Sequence, residues 1–187
     1  MTPQECLQID SVQEEIANAA AAAGVAAQRR TRDSIEAHMS AIESPIEAIF
    51  YAWWCAFQGV MSPYGTFLLD PQLPVTACGN SYRLDFAIRS SLESSRKPLI
   101  AVELDGHDFH ERTPEQVERR NARDRDLQHD GWKIFHFSGR EVKLQPLKCV
   151  AEVYGYALLD RFQASSYPHA QEQAEKFIAW AIEDMGF

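Results

Sequence analysis

YRLDFAI (Tyr82–Ile88) and IAVELDGHDFH (Ile100–His110) decide the fold of this chain. The first alternates with period two. Tyr82, Leu84, Phe86 and Ile88 share one face of a predicted strand, and Arg83, Asp85, Ala87 and Arg89 share the other. The second continues a predicted strand over Pro98–Asp105. It sets Ile100, Val102 and Leu104 against Ala101, Glu103 and Asp105, and Gly106 ends it. Were the two strands neighbours, Asp85, Glu103 and Asp105 would converge among the small residues Ala87 and Ala101. Carboxylates that close repel and raise each other's pKa. A hard cation with oxygen ligands relieves this. Mg²⁺ suits one or two carboxylates completed by waters and a phosphate. For any single acid the simpler expectation is a strand-end cap or a pair with Arg83 or Arg89; three acids on matched faces point to a metal.

Ser44-Pro45-Ile46-Glu47 opens a predicted helix, with Ser44 as N-cap, Pro45 at the first position and Glu47 closing a capping box. Ile46, Ile49, Phe50, Trp53, Trp54 and Phe57 form its apolar stripe, and Gly59 is the expected stop. Thr66–Leu69 and Leu73–Thr76 read as a first strand broken at Asp70-Pro71. Thr113-Pro114-Glu115-Gln116 is a second capping box, heading a helix to about Asp130 that Gly131 stops. Trp132–Phe137 reads as a fourth strand. Gln145-Pro146 opens a helix with Leu147, Val150, Ala151, Tyr154, Ala157 and Leu158 inward. A last helix begins near Pro168, with Ala174, Phe177, Ile178, Ala181 and Met185 on its stripe. Ser11–Ile42 reads as an alanine-rich helical arm weakened by Gly24, a candidate dimerisation element. The order of elements predicts an α/β fold with a small mixed four-stranded sheet. The expected units are an arm over 1–43, a core over 44–165 and a C-terminal helix over 166–187.

The 187 residues, 45% hydrophobic, suffice for one sizeable core. A net charge of −9 argues against coating nucleic acid by general electrostatics, but not against a local phosphate site. Cys6, Cys55, Cys78 and Cys149 stand far apart with no C-x-x-C pair, which suits reduced thiols in a cytoplasmic protein. No run suits a membrane span. Glu14 and Glu15 precede the Ala19–Ala23 tract where a signal peptide carries basic residues.

YRLDFAI, IAVELDGHDFH and ARDRDLQHDGWKIFHFSGREV (Ala122–Val142) together resemble the PD-(D/E)XK nuclease superfamily. Within it they are most similar to the very-short-patch-repair-like endonucleases and related uncharacterised bacterial proteins. The resemblance covers Ser44 to about Val142. It implies a restriction-endonuclease-like three-layer sandwich, with the terminal helices as extensions. It also implies a Mg²⁺- or Mn²⁺-dependent endonuclease acting on DNA, in repair, restriction or defence. The metal ligands it implies are Asp85 and Glu103, with the Leu104 carbonyl as a further one. It makes Glu47 the helix acid and His110 the motif histidine. Where the superfamily has a lysine two residues after the glutamate, this chain has Asp105. Three consequences stand open: Asp105 is itself a ligand, the cation comes from Lys133 or is replaced by Gln128, or the site has lost its chemistry.

In the helix over Glu115–Asp130, Val117, Asn121, Asp124 and Gln128 share one stripe, polar where a buried stripe should be apolar. Site lining and structural hydrogen bonding both account for it. Arg119, Arg120 and Arg123 flank that stripe and are the candidate phosphate contacts, unless each merely pairs with Glu115 or Glu118 on a solvated face. His107 and His110 are candidates for a general acid or a phosphate contact. Zinc lacks a further histidine or cysteine pair at ligand spacing. The alternative to an endonuclease is an inactive nuclease-fold module that binds nucleic acid or a protein partner.

Overall fold

The structure, a computed structural model, describes residues 41–61, 67–90, 100–106, 113–164 and 169–185, with Arg29 and Asp33 besides. The arm over Ser11–Ile42 therefore lies almost wholly outside the described residues, as do His107 and His110. The elements run α1 (Pro45–Met61), β1 (Phe67–Ala77), β2 (Asn80–Ser90), β3 (Ile100–Asp105), α2 (Pro114–His129), β4 (Lys133–Ser138), α3 (Gly139–Leu144), α4 (Pro146–Ala164) and α5 (Ala170–Asp184). No helix among the described residues is long and apolar enough to cross a membrane.

Four strands form one mixed sheet in the order β1-β2-β3-β4. β1 and β2 form an antiparallel hairpin, β2 and β3 are antiparallel, and β3 and β4 are parallel across the α2 crossover. Helices cover both faces. On one, Phe50, Tyr51, Trp54 and Phe57 of α1 meet Phe86, Ile88, Ile100, Val102 and Leu104 of the sheet and Val150, Tyr154 and Leu158 of α4. The side chains of α5 expected to face inward pack against this core. On the other face α2 alone covers the sheet, with Leu127 and Trp132 against Leu84, Ala87 and Ala101.

Several expectations change. β1 is one continuous strand, not two pieces. It lies at the sheet edge, where a proline's missing N–H leaves no ladder bond unmade, so Pro71 and Pro74 are tolerated. The break survives as a bend: Gln72 has φ 51°, in the left-handed region, and falls at the one step missing between Pro71↔Phe86 and Leu73↔Leu84. Beyond it the outer half of the hairpin curls over α2. Leu84 and Tyr82 accordingly join the α2-side cluster, while Phe86 and Ile88 stay in the main core, so the four do not share a face. The hairpin closes at Cys78-Gly79, both with positive φ (48° and 81°), the backbone sense of a type I′ turn. α1 runs through Gly59 to Met61, because Met61 is fully buried and packing outweighs one poor helix former. α3 was not foreseen; Ser138 and Glu141 form its capping box. The Thr113/Gln116 box heads α2 as expected.

Candidate active site

Acidic side chains from α1, β2 and β3 meet at the C-terminal end of β3. The β2–β3 ladder is paired at Phe86↔Val102, Ala87↔Ala101 and Ile88↔Ile100. One step further the Asp85 side chain takes over: its Oδ2 accepts the Leu104 backbone N–H at 2.7 Å. Glu103 and Asp105 follow on the same face of β3, with Leu104 turned into the core. The N-terminus of α1 closes in from the side. A Cβ placed on Gly139 would lie 3.3 Å from the Asp105 carbonyl and 3.6 Å from Ile46 Cγ2, so the glycine permits that close approach.

Glu47 is buried and satisfied by three donors: the Glu43 N–H at 3.0 Å, the Ser44 hydroxyl at 2.7 Å and the Gln72 side-chain amide at 2.9 Å. The expected capping box is altered, since Glu47 reaches the Glu43 N–H and the Ser44 hydroxyl. Gln72, unmarked in the sequence, enters the site because its left-handed backbone turns the edge strand toward Glu47.

Two arginines of α2 face these acids. Arg123 holds both oxygens of Glu103, at 2.5 and 2.7 Å, and also donates to the Arg83 carbonyl at 2.8 Å. Arg120 pairs with Asp105 at 3.2 Å and lies 4.0 Å from Asp124. Asp124 in turn meets His136 Nε2 at 2.9 Å. The inward stripe of α2 is thus Arg120, Arg123, Asp124 and Leu127. Val117, Asn121 and Gln128 are exposed, so the predicted stripe is rotated by about one position. The rotation follows from ion pairing: a stripe of mixed charges facing carboxylates is held in place by its partners, not by hydrophobicity.

The electrostatics are those of crowded acids. Burial pushes the Asp85 carboxyl above its ordinary value, the Leu104 N–H pulls it back, and the charges of Glu47 and Asp105 add to the rise. Burial pushes Glu103 up to about 7, against the pull of Arg123. Burial holds the His136 imidazole below its usual value, against the pull of Asp124.

Two candidates do not reach the site. Lys133 is in register with Ile100 on the core face of β4, its ammonium 5.9 Å from the Phe135 ring centre and 5.4 Å from that of Tyr156. It supplies no charge to the acids on the opposite face. Gln128 is exposed in the turn of α2 that carries Leu127, which packs in the Ala101 and Trp132 cluster away from Glu103. Arg119 is exposed, with neither acid as its partner.

The donor set suits a hard cation: carboxylate oxygens that raise one another's pKa, and the Gln72 Oε1, buried without a hydrogen-bond partner beside Glu47. Even so, among the described residues no group of three or more His, Cys, Asp or Glu side chains stands arranged to hold a metal ion. Glu103 is already occupied by a guanidinium. Comparison with protein-family models, curated proteins and solved structures finds no match to this chain.

Proposed function

We propose that this chain is a divalent-metal-dependent endonuclease that hydrolyses DNA phosphodiester bonds in the cytoplasm, in repair, restriction or defence. Its four-stranded sheet would then be the centre of a restriction-endonuclease-like sandwich. The observation that carries this reading is the meeting of Asp85 and Glu103 at the end of β3, under mutual charge pressure, with two arginines opposite. The resemblance of the three sequence stretches to the PD-(D/E)XK nucleases supports it.

Asp85 and Glu103 would hold Mg²⁺ or Mn²⁺, with the Leu104 carbonyl and Asp105 as the further candidates. When bound, such an ion supplies water activation and charge neutralisation for in-line displacement at phosphorus. The protein's own groups have separate tasks. Glu47 and Gln72 buttress Asp85 from the edge strand. Arg120 and Arg123 bring positive charge where the superfamily carries its lysine, and are placed to meet a phosphate. A non-catalytic nucleic-acid-binding module has one observation in its favour, the guanidinium on Glu103.

The test uses plasmid, single-stranded DNA and RNA, with Mg²⁺ or Mn²⁺, beside Asp85→Asn and Glu103→Gln. Metal-dependent cleavage lost in both variants is expected. Cleavage that survives both would sink the site, and no cleavage together with no metal binding favours the module.

A further inference from the structure

We infer that Arg123 is an exchangeable counter-ion: it clamps Glu103 in the metal-free protein and lets go when a divalent cation takes that carboxylate. This rests on the metal-site reading above and adds a gate to it. Both oxygens of Glu103 are committed to one guanidinium, and Glu103 is the buried acid at the centre of the group. A cation approaching from Asp85 meets a carboxylate whose coordination positions are taken and a fixed positive charge beyond it. This accounts for the absence of a ready metal-holding group among the described residues, despite converging acids.

The two arginines are not equivalent. Arg120 lies between two carboxylates, Asp105 and Asp124, and keeps both partners when Glu103 changes hands. Besides Glu103, Arg123 holds only the neutral Arg83 carbonyl among its hydrogen-bond acceptors. That bond tethers it at the site while the carboxylate is released, leaving its charge for the phosphate the cation accompanies. A bidentate guanidinium is a strong partner for a buried carboxylate, so the exchange sets a threshold on metal affinity.

Mn²⁺ titration of the full-length chain by calorimetry tests this, comparing wild type with R123Q and with R120Q, which removes the same charge. R123Q should bind Mn²⁺ about tenfold tighter than wild type, within the range by which groups around metal ligands alter affinity. R120Q should change affinity by less than about threefold, as for a partly solvated ion pair. Equal tightening in both variants means generic charge and overturns the exchange. So does R123Q binding no tighter than a wild type that does bind, which leaves the endonuclease reading standing. No Mn²⁺ binding by either protein overturns the metal site and the exchange with it. Should circular dichroism show R123Q unfolded, R123K replaces it; one ammonium in place of the fork should still tighten Mn²⁺ binding relative to wild type, and no tightening overturns the exchange.

Discussion

The Asp85 carboxylate accepts the backbone N–H of Leu104 at 2.7 Å, where the β2–β3 ladder ends. One side chain therefore does two things: it replaces a missing ladder acceptor and faces the acids of the site. The roles separate on substitution. Asp85→Asn keeps an oxygen for the Leu104 N–H and should fold with little loss, yet lose metal-dependent cleavage. Asp85→Ala leaves that N–H without its acceptor and should cost about 1–3 kcal/mol in denaturant unfolding. Equal stability of the two variants would remove the structural half of this assignment.

Glu103 links stability to pH. Its folded value, about 7, lies above its ordinary 4.5. A carboxyl shifted that way favours the native state fully below its unfolded pKa, and the contribution is lost as pH rises through the folded pKa. The metal-free protein should therefore lose stability between about pH 4.5 and 7, and Glu103→Gln should flatten that part of the curve. Divalent metal must displace the same proton, so Mn²⁺ binding should tighten across this interval. A Tm profile of Glu103→Gln that parallels wild type would contradict the assignment.

Gly59 is a helical residue with open space where a Cβ would stand, and its φ is not positive. Gly59→Ala should raise stability by about 1 kcal/mol through helix propensity alone, measured by chemical denaturation with cleavage unchanged. A fall in stability would mean that α1 does not continue to Met61.

Lys133 stacks its ammonium over Phe135 and Tyr156 on the core side of β4. Lys133→Met should leave nuclease activity as in wild type and lower stability by no more than about 1 kcal/mol, the scale of a cation–π contact. A large loss of kcat with native Tm would return Lys133 to the chemistry.

Much of this protein is legible in one dimension. Alternation places Asp85 and Glu103 opposite the core because a strand's side chains change face at every residue, and capping chemistry marks the start of α2. Apolar spacing picks out the buried faces of α1, α4 and α5 for the same local reason. The tertiary structure decided what depends on partners far apart in the chain. Gln72 joins Glu47 across 25 residues through a left-handed backbone step that no local pattern announces. Arg123 looks like solvated helix surface until β3 brings Glu103 beneath it, 20 residues back in sequence. Lys133 looks like a substitute for the missing lysine until the parallel register turns it to the opposite face. Asp85 and Glu103, the residues on which the fold was first read, keep their place; the strand pairing and the helix above them determine which cation each one meets.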